Sequence, residues 1–319
     1  MSGMKSPVLS KRWIRYKRQW QLQLFVYLGL CWLILFCWAP LFGILMAFKN
    51  YNIRTGIAGI FTSEFNHFKH FKDFFAYYNF NGILRNTIVL SITKLLATFP
   101  AAILFALLIN EVRISGIKRT LQTVSYLPHF ISWVLVYTIA QYMLGEQSGL
   151  VNEFLKKIGM IQKSVPFMSS DETFYGLAIF LSLWKTTGWN AIIFLASITN
   201  VDPTLYEAAA VDGAGRLRRI WHVTLPGILP AVVTVLIINV GAMIGGGMGG
   251  SNFEICYMFG NVANVRTSEI IQTYSLTQGL MNGRFAFATA VDVCQSVISV
   301  ILVVSSNWVA KKISGSGLF

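Results

Sequence analysis

Six apolar stretches, each long enough to cross a lipid bilayer, constrain this chain more than any other feature of its sequence. They lie at about 22–48, 86–109, 121–144, 174–198, 228–248 and 286–309. A bilayer core of roughly 30 Å is crossed by about 20 helical residues, and only helices or closed barrels cross it without leaving backbone polar groups unpaired. The sequence therefore predicts an all-α integral membrane protein with six transmembrane helices.

Composition and charge agree with a membrane location. Of the 319 residues, 55% are hydrophobic and only 12% are charged, whereas soluble domains carry roughly 25% charged residues. The net charge of +13 would suit nucleic acid, but the basic residues are scattered over the loops and form no continuous stripe. Their concentration in short segments on one side of the predicted spans follows the positive-inside rule instead. We therefore expect no nucleic-acid partner, and we expect both termini in the cytoplasm.

The spans divide the chain into segments. They are a basic cytoplasmic N-terminus at 1–21, the first transmembrane helix at 22–48, an outer loop rich in aromatic residues at 49–85, a five-helix core at 86–310 and a cytoplasmic tail at 311–319. In the outer loop, phenylalanines recur mostly every three to five residues between Phe65 and Phe80. This spacing is typical of a helix lying flat on membrane lipid, and a surface that stacks against sugars is the alternative.

One polar segment, EAAAVDGAGRLRRIWHVTLP at 207–226, separates the fourth and fifth spans. Its charged residues cannot lie in lipid, so it must reach the membrane surface. Asp202-Pro203 is a typical helix start, and Gly213 permits a sharp bend. The sequence predicts a short surface helix, a bend, and a return to the bilayer at Leu225-Pro226.

The spacing of Glu207-Ala208-Ala209, Gly213 and Leu225-Pro226 is similar to the cytoplasmic coupling loop in the permease subunits of ATP-binding-cassette (ABC) importers. The runs NTIVLSITKLLATFPAAILFALLINE and QTVSYLPHFISWV resemble the sugar permeases of that family, in the lipo-oligosaccharide and alginate-like polysaccharide group. The resemblance extends over nearly the whole chain from Pro40. It implies a type I ABC importer permease fold, a coupling helix within loop 203–226, and a place in the bacterial cytoplasmic (inner) membrane.

The resemblance also implies partners and a division of labour. The chain has no G-x-x-x-x-G-K-[ST] motif and no catalytic constellation, so we expect a non-enzymatic permease that binds no cofactor. ATP and Mg²⁺ would bind two partner ABC ATPase subunits, alongside a second homologous permease and an extracytoplasmic solute-binding protein. The transported molecule would be an oligosaccharide or polysaccharide. The residues expected to couple this chain to the ATPase are Glu207, Ala208, Ala209, Asp212, Gly213, Arg216, Leu225 and Pro226.

Charged residues inside the spans are candidates for the substrate pathway, because they are costly in lipid. Lys185 has Trp184, Trp189 and Asn190 close by in sequence, a combination suited to a sugar. A basic residue there would suit an acidic polysaccharide. The alternatives are that Lys185 pairs with Asp292 or extends toward the membrane surface, while the tryptophans pack within the bundle.

Two further pathway candidates come from the resemblance. Phe253-Glu254 resembles a Phe-Glu pair that the sugar permeases carry near the pore after the fifth span. Asp292 stands where that family would carry glycine or another small residue. The four cysteines lie within or beside apolar runs and show no metal-ligand spacing, so we expect them to be small buried hydrophobic residues and predict no metal site.

The fifth span ends in GAMIGGGMGG at 241–250. Glycine at this density is unfavourable in a plain helix, so either a neighbouring helix packs very closely or the backbone unwinds beside a cavity. An unwound span with buried charges would also suit an ion-coupled secondary transporter that acts without an ATPase. That alternative lacks an inverted repeat and does not explain the coupling loop.

Overall fold

The computed structural model describes residues 18–314 of the chain, which are almost entirely helical. The α-helices are α1 (Trp20–Leu33), α2 (Gly56–Thr62), α3 (Lys69–Phe75), α4 (Phe80–Asn110), α5 (Ser115–Tyr126), α6 (Trp133–Leu144), α7 (Leu150–Lys157), α8 (Asp171–Thr199), α9 (Pro203–Val211), α10 (Arg216–Arg219), α11 (Leu225–Ala242), α12 (Asn252–Phe259), α13 (Val265–Ser268), α14 (Ile271–Leu276) and α15 (Phe285–Ser314). One isolated antiparallel bridge joins Lys49 to Phe65 in this part of the chain.

Five helical stretches are long and apolar enough to cross a membrane: Trp20–Phe48, Phe80–Asn110, Asp171–Thr199, Arg216–Gly245 and Phe285–Lys312. The sixth is a broken one, in which α5 and a 3₁₀ turn at Leu127–Phe130 meet α6 at 98°. The prediction of six spans is confirmed. The chain breaks completely at the turn that contains Pro128, and Ser132 then caps α6 by accepting a hydrogen bond from the Leu135 amide at 3.3 Å.

The helices that surround the core run well beyond the apolar stretches. Helix α4 begins six residues before the predicted span at 86, and α8 begins at Asp171, where Ser170 caps it and Asp171 and Glu172 suit the positive end of the helix dipole. The fifth span starts in the polar loop, because α10 and a π-helical turn at Ile220–Thr224 continue into α11. Hydropathy alone marks the apolar centre of such helices and misses their polar ends.

The core is a pair of parallel helices, α4 and α8, with other elements packed around them. Near their N-termini they enclose, with α6 and α12, a cluster that includes Leu90, Trp133, Phe174 and Ile255. Near their C-termini they pack against α11, and Ile228 joins this second cluster. Helix α11 therefore runs antiparallel to them. We call the end of the bundle that carries loop 203–226 the coupling end.

A glycine allows the broken span to approach this core. A Cβ atom at Gly188 on α8 would lie 2.2 Å from the backbone oxygen of Ser125 on α5. No side chain could occupy that space without separating the two helices.

The first span packs little against the rest of the chain. Its α-helix continues as a π-helical turn at Ile34–Trp38 and a 3₁₀ helix at Ala39–Phe48, and only Ala47 is fully buried. Cys31 and Cys37 are exposed here, contrary to an expectation that the cysteines are buried. The predicted N-terminal segment 1–21 and tail 311–319 lie outside the described residues, except for 18–21 and 311–314.

The aromatic loop at 49–85 contains the short helix α3, as its spacing predicted. Phe74 is buried and contacts Phe80, Tyr274 and Phe287, so part of the aromatic surface packs on the bundle. Phe65, Phe68 and Phe75 remain exposed. The interpretation as a surface helix on lipid therefore applies to one face of α3 only.

Candidate functional site

The polar loop forms the predicted surface helix, α9. Asp202 begins it by accepting a hydrogen bond from the Thr204 amide at 2.9 Å, and this bond holds the pKa of the Asp202 carboxyl below its usual value. Gly213 ends it with a φ of +74°, a conformation that residues with a Cβ atom rarely adopt. The amide of Ala214 closes the turn on the Ala209 carbonyl at 2.9 Å.

Some of the predicted coupling residues form an exposed surface, and the others form the bend and the start of the next helix. Glu207, Ala208, Asp212 and Arg216 are exposed, and Ala209 is half-buried. Gly213 makes the bend, while Leu225 and Pro226 open α11, the helix that re-enters the bundle.

Helix α9 is fastened to the base of α11. The Tyr206 hydroxyl donates a hydrogen bond to the Thr224 hydroxyl at 3.1 Å, and Thr224 is buried. Tyr206 also packs against the core cluster at the coupling end. A force on α9 would thus reach the fifth span directly.

Sequence reasoning missed the apolar part of this surface. Val211 is 88% exposed and Leu217 is 73% exposed, and Leu205 and Trp221 are also exposed. Apolar side chains grouped beside Glu207 and Arg216 are typical of a surface that a protein partner covers. The signal in the sequence that could have identified them is the presence of apolar residues among the charged residues of a segment that must lie outside the bilayer.

The glycine-rich segment is unwound, as one of the two predicted alternatives stated. Helix α11 ends at Ala242, and single 3₁₀ turns follow at Met243–Gly245 and Gly247–Gly249. Positive φ angles occur at Gly246, Gly247 and Gly250. The other alternative holds in part, because a Cβ at Gly241 would lie 2.0 Å from Cγ2 of Val303 on α15.

Buried polar side chains from other helices hold this segment. Lys94, on α4 and only 1% exposed, donates to the Gly250 carbonyl at 3.0 Å and to Oδ1 of Asn252 at 2.7 Å. Asn252 in turn donates to the Ile244 carbonyl at 3.1 Å. The free backbone groups of an unwound membrane segment must be satisfied in this way, because lipid cannot do so.

Met248, in the same segment, is held from two sides. Its carbonyl accepts a hydrogen bond from Nδ2 of Asn190 on α8 at 2.5 Å. Its amide donates to Oδ1 of Asn239 on α11 at 2.5 Å. The predicted pathway residue Asn190 therefore contacts the glycine-rich segment, whereas Asn239 and Asn252 were not among the predicted residues.

Lys185 satisfies free backbone carbonyls in the same way at the broken span. Its ammonium group donates to the carbonyls of Pro128 at 3.3 Å and His129 at 2.8 Å, and also to that of Ile131. It does not pair with Asp292, so that alternative is wrong. Trp189 stacks on His129 with ring centroids 4.5 Å apart, as the packing alternative expected, although both Trp189 and Trp184 remain exposed.

Two of the remaining candidates meet at a cavity of about 330 Å³. Phe253 and Asp292 line it together with Gln272 and Ser275, and Met46 reaches it from the first span. The Ser275 hydroxyl donates to Oδ1 of Asp292 at 2.7 Å. Glu254, the neighbour of Phe253, is exposed and is not among the lining residues.

A second, polar cleft of about 640 Å³ opens at the end opposite the coupling end. It carries charges of both signs, from Arg85, Asp171, Glu172 and Arg266. Near this cleft, burial raises the pKa of the Glu269 carboxyl, although a hydrogen bond from Asn79 opposes the shift. The cleft is large enough to receive a side chain or loop of another protein.

Comparisons with known proteins agree with this geometry. The Polygalacturonan/rhamnogalacturonan transport system permease protein YteP of Bacillus subtilis is 40% identical over 306 residues, which cover 96% of this chain and 92% of YteP. Protein LplB of the same organism is 38% identical over 95% of this chain and 92% of its own length.

Solved structures match as well. A chain of a bacterial ABC transporter involved in the import of the acidic polysaccharide alginate superposes with a TM-score of 0.83 and 33% identity, covering 95% of this chain and 99% of that one. A chain of the bacterial alginate ABC transporter in complex with an alginate pentasaccharide-bound periplasmic protein superposes with a TM-score of 0.83 and 34% identity. The fold is therefore the type I ABC importer permease fold, and the chain is a permease component rather than an enzyme.

The family model for the inner membrane component of binding-protein-dependent transport systems matches residues 74–315, which include the core, the unwound segment and α9. This chain belongs to that family.

Proposed function

We propose that this chain is the membrane-spanning subunit of an ATP-driven importer that moves an oligosaccharide or polysaccharide into the cytoplasm. One observation carries the proposal: in a chain with no nucleotide-binding motif, an exposed helix, α9, is fastened by Tyr206 to the start of a spanning helix. ATP and Mg²⁺ would bind partner ATPase subunits at the cytoplasmic face. The saccharide is suggested by the relatives named above.

Coupling would pass from α9 to the pore along α11. Glu207 would pair with a basic residue of the ATPase, Ala208 would allow close approach, and Val211 and Leu217 would be covered by the same partner. Because α11 ends in the unwound glycine-rich segment, a tilt of α11 would move that segment against α4 and α8. Alternating access requires such a movement at the middle of the membrane.

The remaining surfaces suit the other expected subunits. The first span exposes apolar side chains along nearly its whole length, which a second permease or lipid would cover. With the coupling end and both termini in the cytoplasm, the polar cleft at Arg85 and Arg266 faces outward. It would receive the solute-binding protein that delivers the saccharide.

The test is ATP hydrolysis by the complete complex in lipid vesicles, stimulated by the saccharide-loaded binding protein. We expect Glu207→Arg to reduce this stimulation by roughly a hundredfold, because the exchange places like charges at a protein interface. The variant should still insert in the membrane, since Glu207 is exposed.

The matched control is Glu153→Arg, which exchanges another exposed helical carboxylate, on α7 at the opposite end of the bundle. It should retain the stimulation. Normal stimulation in the Glu207→Arg variant would contradict the coupling assignment. Saccharide transport by the purified chain without an ATPase would instead favour the ion-coupled transporter.

A further inference from the structure

Asp292 presents a carboxylate to the cavity beside Phe253. It lies seven residues after the start of α15, or roughly 10 Å along the helix. Ser275 holds one carboxylate oxygen at 2.7 Å, and within residues 18–314 no hydrogen bond engages the other oxygen. The free oxygen can therefore accept a hydrogen bond from a molecule in the cavity.

A second acceptor lines the same cavity. Gln272 donates its amide nitrogen to the Ile244 carbonyl at 3.2 Å, and its amide oxygen is buried without a hydrogen-bond partner. An unpaired buried acceptor costs free energy until a donor reaches it. A rotation of the Gln272 side chain toward the cavity would bring this oxygen within reach of a ligand, so the two acceptors match a ligand that is rich in hydroxyl groups.

Among the residues that the structure describes, no basic side chain lines this cavity. Lys94 and Lys185, which lie inside spanning helices, are buried and donate hydrogen bonds to backbone carbonyls. Arg284, just before α15, donates to the side chain of Gln278 at 3.0 Å and lies 4.2 Å from the ring centre of Phe287. The charge that this chain places on the cavity is therefore negative.

We propose that Asp292 makes this cavity selective for uncharged saccharides over saccharides that contain uronic acids. The inference rests on the proposed function and names its substrate class. Sugar hydroxyls would donate to Asp292 and to Gln272, and Phe253 would offer an apolar ring face. A uronate would bring a second negative charge close to Asp292, and like charges at such a distance repel each other. An uncharged substrate differs from the acidic polysaccharides named for the relatives.

The experiment measures transport by the complete complex in vesicles with saturating binding protein, loaded with either a neutral arabinose oligomer or a galacturonate oligomer. We expect the unaltered complex to transport the neutral oligomer at least about tenfold faster, because a lost or repelled charge contact is worth a factor of this order. Asp292→Asn should reduce that preference about tenfold, and Asp292→Lys should reverse it. Glu153→Gln, which removes a carboxylate far from the cavity, should leave the preference unchanged.

Ser275→Ala provides a second variant in case the Asp292 exchanges impair folding. It frees the carboxylate from its hydrogen bond, and we expect it to change the preference less than Asp292→Asn does. Equal transport of both oligomers by the unaltered complex would overturn the inference, and so would an unchanged preference in Asp292→Asn. The proposed function itself would fail only if no saccharide-loaded binding protein stimulated ATP hydrolysis by the complex.

Discussion

Two helix breaks lie inside the bundle, at the unwound glycine-rich segment and at the broken span, and a third lies at the coupling end, where α9 ends at Gly213. The inner breaks and the outer one differ in which groups satisfy the free backbone N–H and C=O groups. At the unwound segment, Lys94 and Asn252 reach the free carbonyls, and at the broken span Lys185 does so. After α9, the chain closes its own turn through Gly213, and Asp202 caps the start of the helix. Lipid excludes water from the first two sites, whereas water reaches the third.

The difference shows what the buried lysines do. A charge in a membrane helix usually suggests a substrate or ion site. Here each lysine donates to backbone carbonyls that a broken helix leaves unpaired, so both act as internal caps. The acidic residues Asp292 and Glu254 remain exposed instead. Stability should therefore depend on the lysines, and transport on the carboxylates and on α9.

The largest effect on stability should follow from Lys94→Met. The exchange keeps the length of the side chain but leaves the Gly250 carbonyl and Oδ1 of Asn252 without their donor. Each unsatisfied buried acceptor costs about 1–3 kcal/mol, so we expect a loss of several kcal/mol. It would be measured as a fall in apparent Tm and in the yield of monodisperse protein in detergent.

Lys156→Met is the matched control, because Lys156 is exposed on α7. It should leave the apparent Tm unchanged. If Lys94→Met were as stable as this control, the interpretation of Lys94 as an internal cap would be wrong.

The contrast between the two kinds of break also explains what the sequence could predict. The start of α9 at Asp202-Pro203 and its end at Gly213 depend on neighbours in sequence, and both were predicted correctly. So was the unwinding of the glycine-rich segment, as one of two alternatives. Local chemistry was sufficient at these positions.

The hydrogen bonds of Lys185 and the roles of Asn239 and Asn252 depend on which helices pack together. Lys185 and Pro128 are 57 residues apart, and Lys94 and Asn252 are 158 apart. Without a helix arrangement, Lys185 could as well have paired with Asp292. The clustering of Phe253 with Asp292 around one cavity likewise required the structure.

A smaller effect is expected at the bend after α9, from Gly213→Ala. The conformation at Gly213, with φ +74°, costs roughly 1–2 kcal/mol for a residue with a Cβ atom. We expect the C-terminal turn of α9 to fray and ATP-driven transport to fall, with little change in the apparent Tm. Hydrogen exchange at residues 209–214 would report the fraying.

Gly215→Ala is a stringent control for this prediction. Gly215 has a φ of −67°, and at both glycines an added Cβ would meet nothing within 4 Å. The strain of a left-handed conformation is therefore present in Gly213→Ala and absent in Gly215→Ala. Equal protection of α9 in both would show that the bend does not depend on the left-handed conformation.

The smallest effect should be the pH dependence of the α9 cap. Its hydrogen bond from Thr204 lowers the pKa of Asp202, so the contribution of the carboxylate is present above the unfolded-state pKa of about 3.9 and is lost as pH falls through the lower folded-state value. Asn caps helices nearly as well but does not titrate, so Asp202→Asn should remove the pH dependence and keep the helix. The measurement is hydrogen exchange of α9 in both proteins across this range. A parallel loss of protection in Asp202→Asn would attribute the acid sensitivity to another group.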